Sequence, residues 1–282
     1  MLPLDEYIKS QLDHHIESLE ELLASDFMAI VSPIVPGVDR RVRHALEIKQ
    51  KKRANLTIML DTPGGIVEVV ARMVDTVRFH YSEVDFIVPD RAMSAGTVFV
   101  MSGNRIFMDY FSCLGPIDPQ IEKDGRLIPA LSYLNQFNKL NQKAAQGSLT
   151  SAEFALIRMI DPGELDQFEE ARNLYIDLLK KWLSKYKFKN WQRTEGRNIP
   201  VTSDMKERRA EEIASQLSDS QRWHSHGIGI NMATLRNELN LRIEDLADRP
   251  ELHQKVRQYF ELLRDYMMRE KQGSFVHTKE FF

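Results

Sequence analysis

Between residues 26 and 111 the chain alternates two kinds of apolar segment, and this alternation restricts it to few folds. DFMAIVSPIV (26–35) and EVDFIVPD (83–90) are apolar nearly throughout, and Leu56, Ile58 and Leu60 mark a strand between them. Ile66, Val69, Val70, Met73, Val74 and Val77 instead recur at helical spacing, while SAGTVFVMSGN (94–104) starts another helix and NRIFMDYF (104–111) closes the series as a strand. Strands apolar on both faces, separated by helices, predict an α/β core with a largely parallel sheet over about residues 26–125. Ligand sites in such sheets lie where strands end and helices begin. Both DTPGG (61–65) and AMSAGT (92–97) stand at such junctions.

The flanks read differently. Residues 1–25 form an acidic helical segment, 26–190 the core with helices appended beyond residue 130, and 191–282 a mainly helical C-terminal region. The polar stretch RTEGRNIPVTSD reads as a linker or surface loop, and Asp204 with Glu207 resembles an N-cap pair for the helix after it. In the last helix Leu252, Val256, Tyr259, Phe260, Leu263, Tyr266 and Met267 form one stripe, whose partner is either the chain's own core or another subunit.

Charge narrows the function classes. With 38 basic and 41 acidic residues the net charge is −3, which argues against general affinity for nucleic acid. The basic, aromatic run KKWLSKYKFKNW therefore reads as a solvated helix end. The single Cys113 permits no internal disulfide. The N-terminus lacks the pattern of an export signal, and no apolar stretch approaches the roughly 18 residues of a membrane span, so the expectation is a cytoplasmic protein without an integral membrane segment.

Gly64 and Gly65 join a strand to a helix without any Cβ, which presents bare backbone N–H groups. Such groups hold a phosphate at a helix N-terminus or the oxyanion of acyl transfer; the pair also serves as a plain tight turn. TPGGIVEV has neither the Lys-Ser/Thr ending of a P-loop nor the three-glycine dinucleotide pattern. About 30 residues on, Ser94 stands before a helix of small residues, where it serves as a cap or, with the Ala95 N–H joining an oxyanion site, as a nucleophile. GPIDPQ (115–120) completes an ordered set.

That set resembles the Clp-fold serine peptidases, most closely the branch of signal peptide peptidase A and the serine dehydrogenase proteinases. The resemblance implies a Clp/crotonase-like spiral of ββα units and a head-to-tail homo-oligomer. It also implies an oxyanion loop at Gly64 and Gly65 and a nucleophile at Ser94. In this family the base is a His–Asp pair or a single lysine. The region where the Clp peptidases place their histidine carries Asp118 and no histidine. Lys139 and Lys143, 45 and 49 residues beyond Ser94, share one helix face and are the candidate bases, with solvated surface as their ordinary alternative. Asp118 is a turn residue or a support for the oxyanion loop. His224 and His226 alternate in WHSHGIG, but no third metal ligand accompanies them.

The expectation is a serine peptidase acting on peptide or unfolded protein, homo-oligomeric, with no cofactor, metal or nucleic acid. Its rivals are an oligomeric interaction protein that keeps the fold without hydrolysis and a crotonase-type acyl-CoA enzyme, which needs no nucleophile at Ser94.

Overall fold

A computed structural model describes residues 3–123, 126–194, 196–225 and 227–282. In chain order the first elements are α1 (Pro3–Leu23), β1 (Asp26–Val31), α2 (Val38–Ile48), β2 (Asn55–Asp61), α3 (Val67–His80), β3 (Glu83–Ile87), β4 (Arg91–Ala92), α4 (Ala95–Val100), β5 (Ile106–Met108) and β6 (Cys113–Leu114). A hairpin of β7 (Gln120–Lys123) and β8 (Arg126–Pro129) leads to α5 (Ala130–Ala145), α6 (Ser151–Arg158) and α7 (Pro162–Trp182). The remainder comprises α8 (Ser203–Leu217), α9 (Ser220–Trp223), β9 (Ile230–Asn231), α10 (Met232–Asn237), β10 (Glu244–Asp245), α11 (Pro250–Arg269) and β11 (Phe275–His277).

The main sheet has the order β10-β5-β3-β2-β1-β11 and is parallel except for β11, which runs antiparallel to β1. The expected parallel α/β core is thus present. A small second sheet, β4-β6-β9, sits beside it. Period-two alternation divides the side chains of β1 between two cores. Phe27, Ala29 and Val31 pack with Leu12, Ile16 and Leu19 of α1 and Val256, Tyr259 and Leu263 of α11. Met28 and Ile30 face the opposite layer, where α2, α3, α4, α7 and α8 cover the sheet. Burying one such Leu or Ile contributes about 1.5–3 kcal/mol, so the two apolar layers fix which face each strand presents.

The C-terminal stripe finds its partner inside the chain. Leu252, Val256, Tyr259, Leu263, Tyr266 and Met267 are all buried, most of them against α1, while Phe260 is partly buried. Two local expectations also change. The cap of α8 is Thr202, whose Oγ1 accepts from the Met205 N–H at 3.3 Å, and Asp204 is a first-turn acid. Ile66 leaves the buried stripe of α3 and stands 42% exposed at its N-cap.

Candidate active site

Two strand-to-helix junctions are held together by backbone hydrogen bonds before any side chain takes part. The Thr62 N–H donates to the Arg91 carbonyl at 2.9 Å, and the Met93 N–H donates to the Thr62 carbonyl at 3.0 Å. A third segment joins on the other side, where the Ile34 N–H donates to the Gly64 carbonyl and the Ile66 N–H to the Ile34 carbonyl, both at 2.8 Å. The loop between β2 and α3 is therefore fixed along both edges.

Close approach explains both glycines. Gly64 has φ +100°, and a Cβ there would lie 2.7 Å from the Met93 carbonyl oxygen and 3.0 Å from the Ser94 Cβ. Gly65 has φ +146°, and its Cβ would meet the Ile34 carbonyl oxygen at 2.1 Å. The Gly64 N–H is taken by Thr62 Oγ1 at 3.1 Å. The Gly65 N–H has no hydrogen-bond partner among the described residues.

Ser94 occupies a sharp elbow between β4 and α4, with φ 49° and ψ −116°. A non-glycine residue in such a conformation costs roughly 1–3 kcal/mol and persists only where its surroundings enforce it. Here Gly96 and Thr97 donate backbone bonds to the carbonyls of Met93 and Ser94 at 2.7 and 2.9 Å. Thr97 Oγ1 donates within reach of the carbonyls of Ala92 and Gly115, both at 2.8 Å. Gly115 lies so close that a Cβ would approach the Ser94 nitrogen to 2.9 Å. The elbow places Ser94 at the helix start with 7% of its surface exposed. Ala95, the first residue of α4, has an N–H without a hydrogen-bond partner among the described residues. Gly65 and Ala95 thus offer unpaired N–H groups on the two loops that flank Ser94. Such donors suit an anion that forms transiently on a carbonyl oxygen.

The expected site residues do not all converge. Gly64, Gly65, Ser94 and Ala95 come together. Asp118 is buried just beyond Gly115, and its Oδ1 accepts from the Leu131 N–H at 3.2 Å. A cavity of about 150 Å³ adjoins it, lined by Pro116, Ile117, Leu131 and Trp223 among others. Lys139 and Lys143 lie on the exposed side of α5. Lys143 Nζ is held by Glu153 Oε1 at 2.5 Å, an ion pair that draws the Glu153 carboxyl down to about 2. His224 is exposed with φ 58°, and His226 lies outside the described residues.

Tyr175 of α7 carries no signal beyond helical burial in the sequence; it is buried and shares a core cluster with Ala95 and Val98 of α4. Burial, then the negative charge of Glu68, pushes this phenol above its ordinary range; Asp118 adds to the rise and Ser94 opposes it. Thr62 and Thr97, which fix the two loops, were equally silent as isolated letters.

Residues 37–199 match the family model of the ClpP-like SDH-type serine proteinases. The chain is similar to the uncharacterized protein MJ0137 of Methanocaldococcus jannaschii, with 29% identity over 153 residues that make up 52% of this chain and 49% of that protein. The chain spans about half the length of the curated relatives it matches. Among solved structures it is similar to a serine-to-alanine mutant of the 1510-N membrane-bound stomatin-specific protease, at 15% identity and a TM-score of 0.47, covering 80% of this chain and 81% of that one. A lysine-to-alanine mutant of the same protease in complex with a substrate peptide shows 15% identity and a TM-score of 0.46, covering 78% and 76% of the two chains.

Proposed function

We propose that this chain, which belongs to the ClpP-like SDH-type serine proteinase family, hydrolyses peptide bonds with Ser94 as nucleophile. The observation that carries the reading is the strained Ser94 elbow packed against Gly64, with unpaired N–H groups of Gly65 and Ala95 beside it. In this reading Ser94 Oγ attacks the peptide carbonyl carbon, its proton passes to a base, and the two N–H groups receive the charge that develops on the carbonyl oxygen. Gly64 supplies the close fit. Asp118 supports the wall of the site by holding the start of α5 through the Leu131 N–H.

The base belongs to this proposal as well. Lys139 and Lys143 remain the candidates, and a lysine must be desolvated to act as a base. Substrate lying between α5 and the Ser94 elbow would supply that desolvation.

The exposure of both lysines, with Lys143 engaged by Glu153, favours one second reading: an oligomeric interaction protein that retains the fold without efficient hydrolysis. Incubating the full chain with a fluorescently labelled unfolded protein separates the two. Hydrolysis that disappears in Ser94→Ala supports the peptidase; binding without hydrolysis, unchanged in that variant, supports the second reading.

A further inference from the structure

Beyond α11 the chain returns to the main sheet as β11, which lies antiparallel against β1 with Ala29 opposite His277 and Val31 opposite Phe275. Ser32 and Ser274, just outside that pairing, meet through their hydroxyls at 2.5 Å. Arg41 of α2 reaches the same place: its Nη1 donates to the Ser274 carbonyl at 3.2 Å and its Nη2 to Ser274 Oγ. Ser32 Oγ in turn donates to the Pro33 carbonyl at 2.7 Å. A guanidinium only donates and each hydroxyl has a single proton, so the direction of the relay is set. Arg41 donates to Ser274, Ser274 to Ser32, and Ser32 to the Pro33 carbonyl.

The relay ends on a peptide group that also holds the glycine loop. The Pro33 carbonyl and the Ile34 N–H belong to one planar trans unit and point in opposite directions. The Ile34 N–H donates to the Gly64 carbonyl at 2.8 Å. That carbonyl is half of a second planar unit, whose other half is the Gly65 N–H, left without a partner among the described residues. Two rigid planes in series thus connect the Ser32 hydroxyl to an N–H on the loop beside Ser94. Burial of the Ile34 side chain fixes where the segment lies but not how its peptide plane is turned. The glycine plane is freer still, because two residues without Cβ atoms oppose its rotation weakly. Hydrogen bonds therefore set its orientation.

We infer that Ser32 and Ser274 are positioning residues for the oxyanion donor: docking of the C-terminal strand β11 holds the Gly65 N–H turned toward the substrate carbonyl oxygen. This rests on the reading of Ser94 as nucleophile with Gly65 as a donor. The relay acts only through the two peptide planes and transfers no proton.

The test uses the full chain with a peptide substrate and a fluorophosphonate probe, comparing Ser32→Ala, Ser274→Ala, Ser274→Thr and Ser94→Ala. Gly64-Gly65 is the sole Gly-Gly pair in the sequence, so protein made with nitrogen-15, carbonyl-carbon-13 glycine gives a single carbonyl-correlated amide signal, that of Gly65. Both serine-to-alanine changes in the relay should melt cooperatively and shift or split that signal. Their kcat and labelling rate should fall by about 10-fold with KM nearly unchanged, the scale of one net hydrogen bond expressed in the transition state. Ser274→Thr, which keeps the hydroxyl, should restore the signal and the rates. A strand that only stabilised the fold would lower the melting temperature and leave kcat and the Gly65 signal of the folded protein unchanged; that result, or a loss of rate with an unmoved signal, overturns the inference. Wild-type rates in both relay variants with Ser94→Ala unlabelled leave the nucleophile assignment standing, whereas full labelling of Ser94→Ala removes that assignment itself. Should both relay variants fold poorly, Arg41→Leu breaks the relay at its outer end, and wild-type kcat with an unmoved Gly65 signal there contradicts the inference.

Discussion

The Cα of Gly64 packs so tightly on the Ser94 elbow that a methyl group there would sit 3.0 Å from the Ser94 Cβ and 2.7 Å from the Met93 carbonyl oxygen. The glycine loop and the serine elbow are therefore one mechanical unit, and displacing one displaces the other. Gly64→Ala should lose about 1–3 kcal/mol of unfolding free energy through its positive φ and the contact. Its fluorophosphonate labelling should fall further, by about 10²-fold, because the neighbouring donors move with the loop. Urea midpoints and labelling rates on the same preparation check both; normal labelling in a folded Gly64→Ala protein would break the link.

The lysines can be ranked by chemistry. Replacing the base by Met should lower peptide turnover by at least about 10²-fold, whereas the other lysine should tolerate the change. Lys143→Met should leave the thermal midpoint essentially unmoved, since its pair with Glu153 is exposed and solvent-screened. Normal turnover in Lys139→Met, Lys143→Met and the double variant would remove α5 as the source of the base.

Much of the architecture was legible because it depends on period. The alternation of strands and helices, the α3 stripe and the burial of Leu56, Ile58 and Leu60 follow from apolar spacing that the packed layers then use. The short pieces were not. β9, β10 and β11 span only two or three residues each and exist because a sheet edge was available to pair with them. At the site, the glycines and Ser94 were visible because an absent Cβ and a strained turn restrict residue type. The burial of Tyr175 among the site's core neighbours was not, since a helical stripe gives the same pattern whichever layer its aromatic packs into. The partner of the α11 stripe was likewise open until α1 was seen to cover it.

Assembly can be separated from folding with two substitutions. Leu263 is fully buried, so Leu263→Asp should give unfolded protein, and Leu263→Ala should cost about 2–5 kcal/mol. No residue of α6 is buried, and Phe154, Leu156 and Met159 are 55%, 52% and 80% exposed. If a homo-oligomer forms, α6 offers it an apolar surface. The expected mass in solution is at least three times the 32.8 kDa of one chain, falling in a folded Leu156→Glu, Met159→Glu variant. A stable mass of one chain in the unaltered protein, measured by light scattering, would rule the assembly out.

His277 should make stability depend on pH. Its ring is buried between Tyr259, whose hydroxyl meets Nδ1 at 2.8 Å, and Asp13, which meets Nε2 at 3.2 Å. Burial lowers its pKa, Asp13 opposes that and Lys9 adds to it. The unfolded chain then takes up the proton more readily than the folded one. Stability is full above the ordinary histidine range and declines as pH falls through and below it. Urea midpoints should drop between about pH 7 and 5, and His277→Gln should flatten that slope. An equal slope in the variant would mean that other groups set it.

The central claim is that Ser94 is the nucleophile, and one measurement addresses it most directly. The folded full chain is treated with a fluorophosphonate and the adduct located by peptide mass spectrometry. The predicted result is a single adduct on the peptide containing Ser94, absent from a Ser94→Ala protein with unchanged melting. Labelling that persists undiminished in that variant, or a folded wild-type protein that takes up no probe, would contradict it.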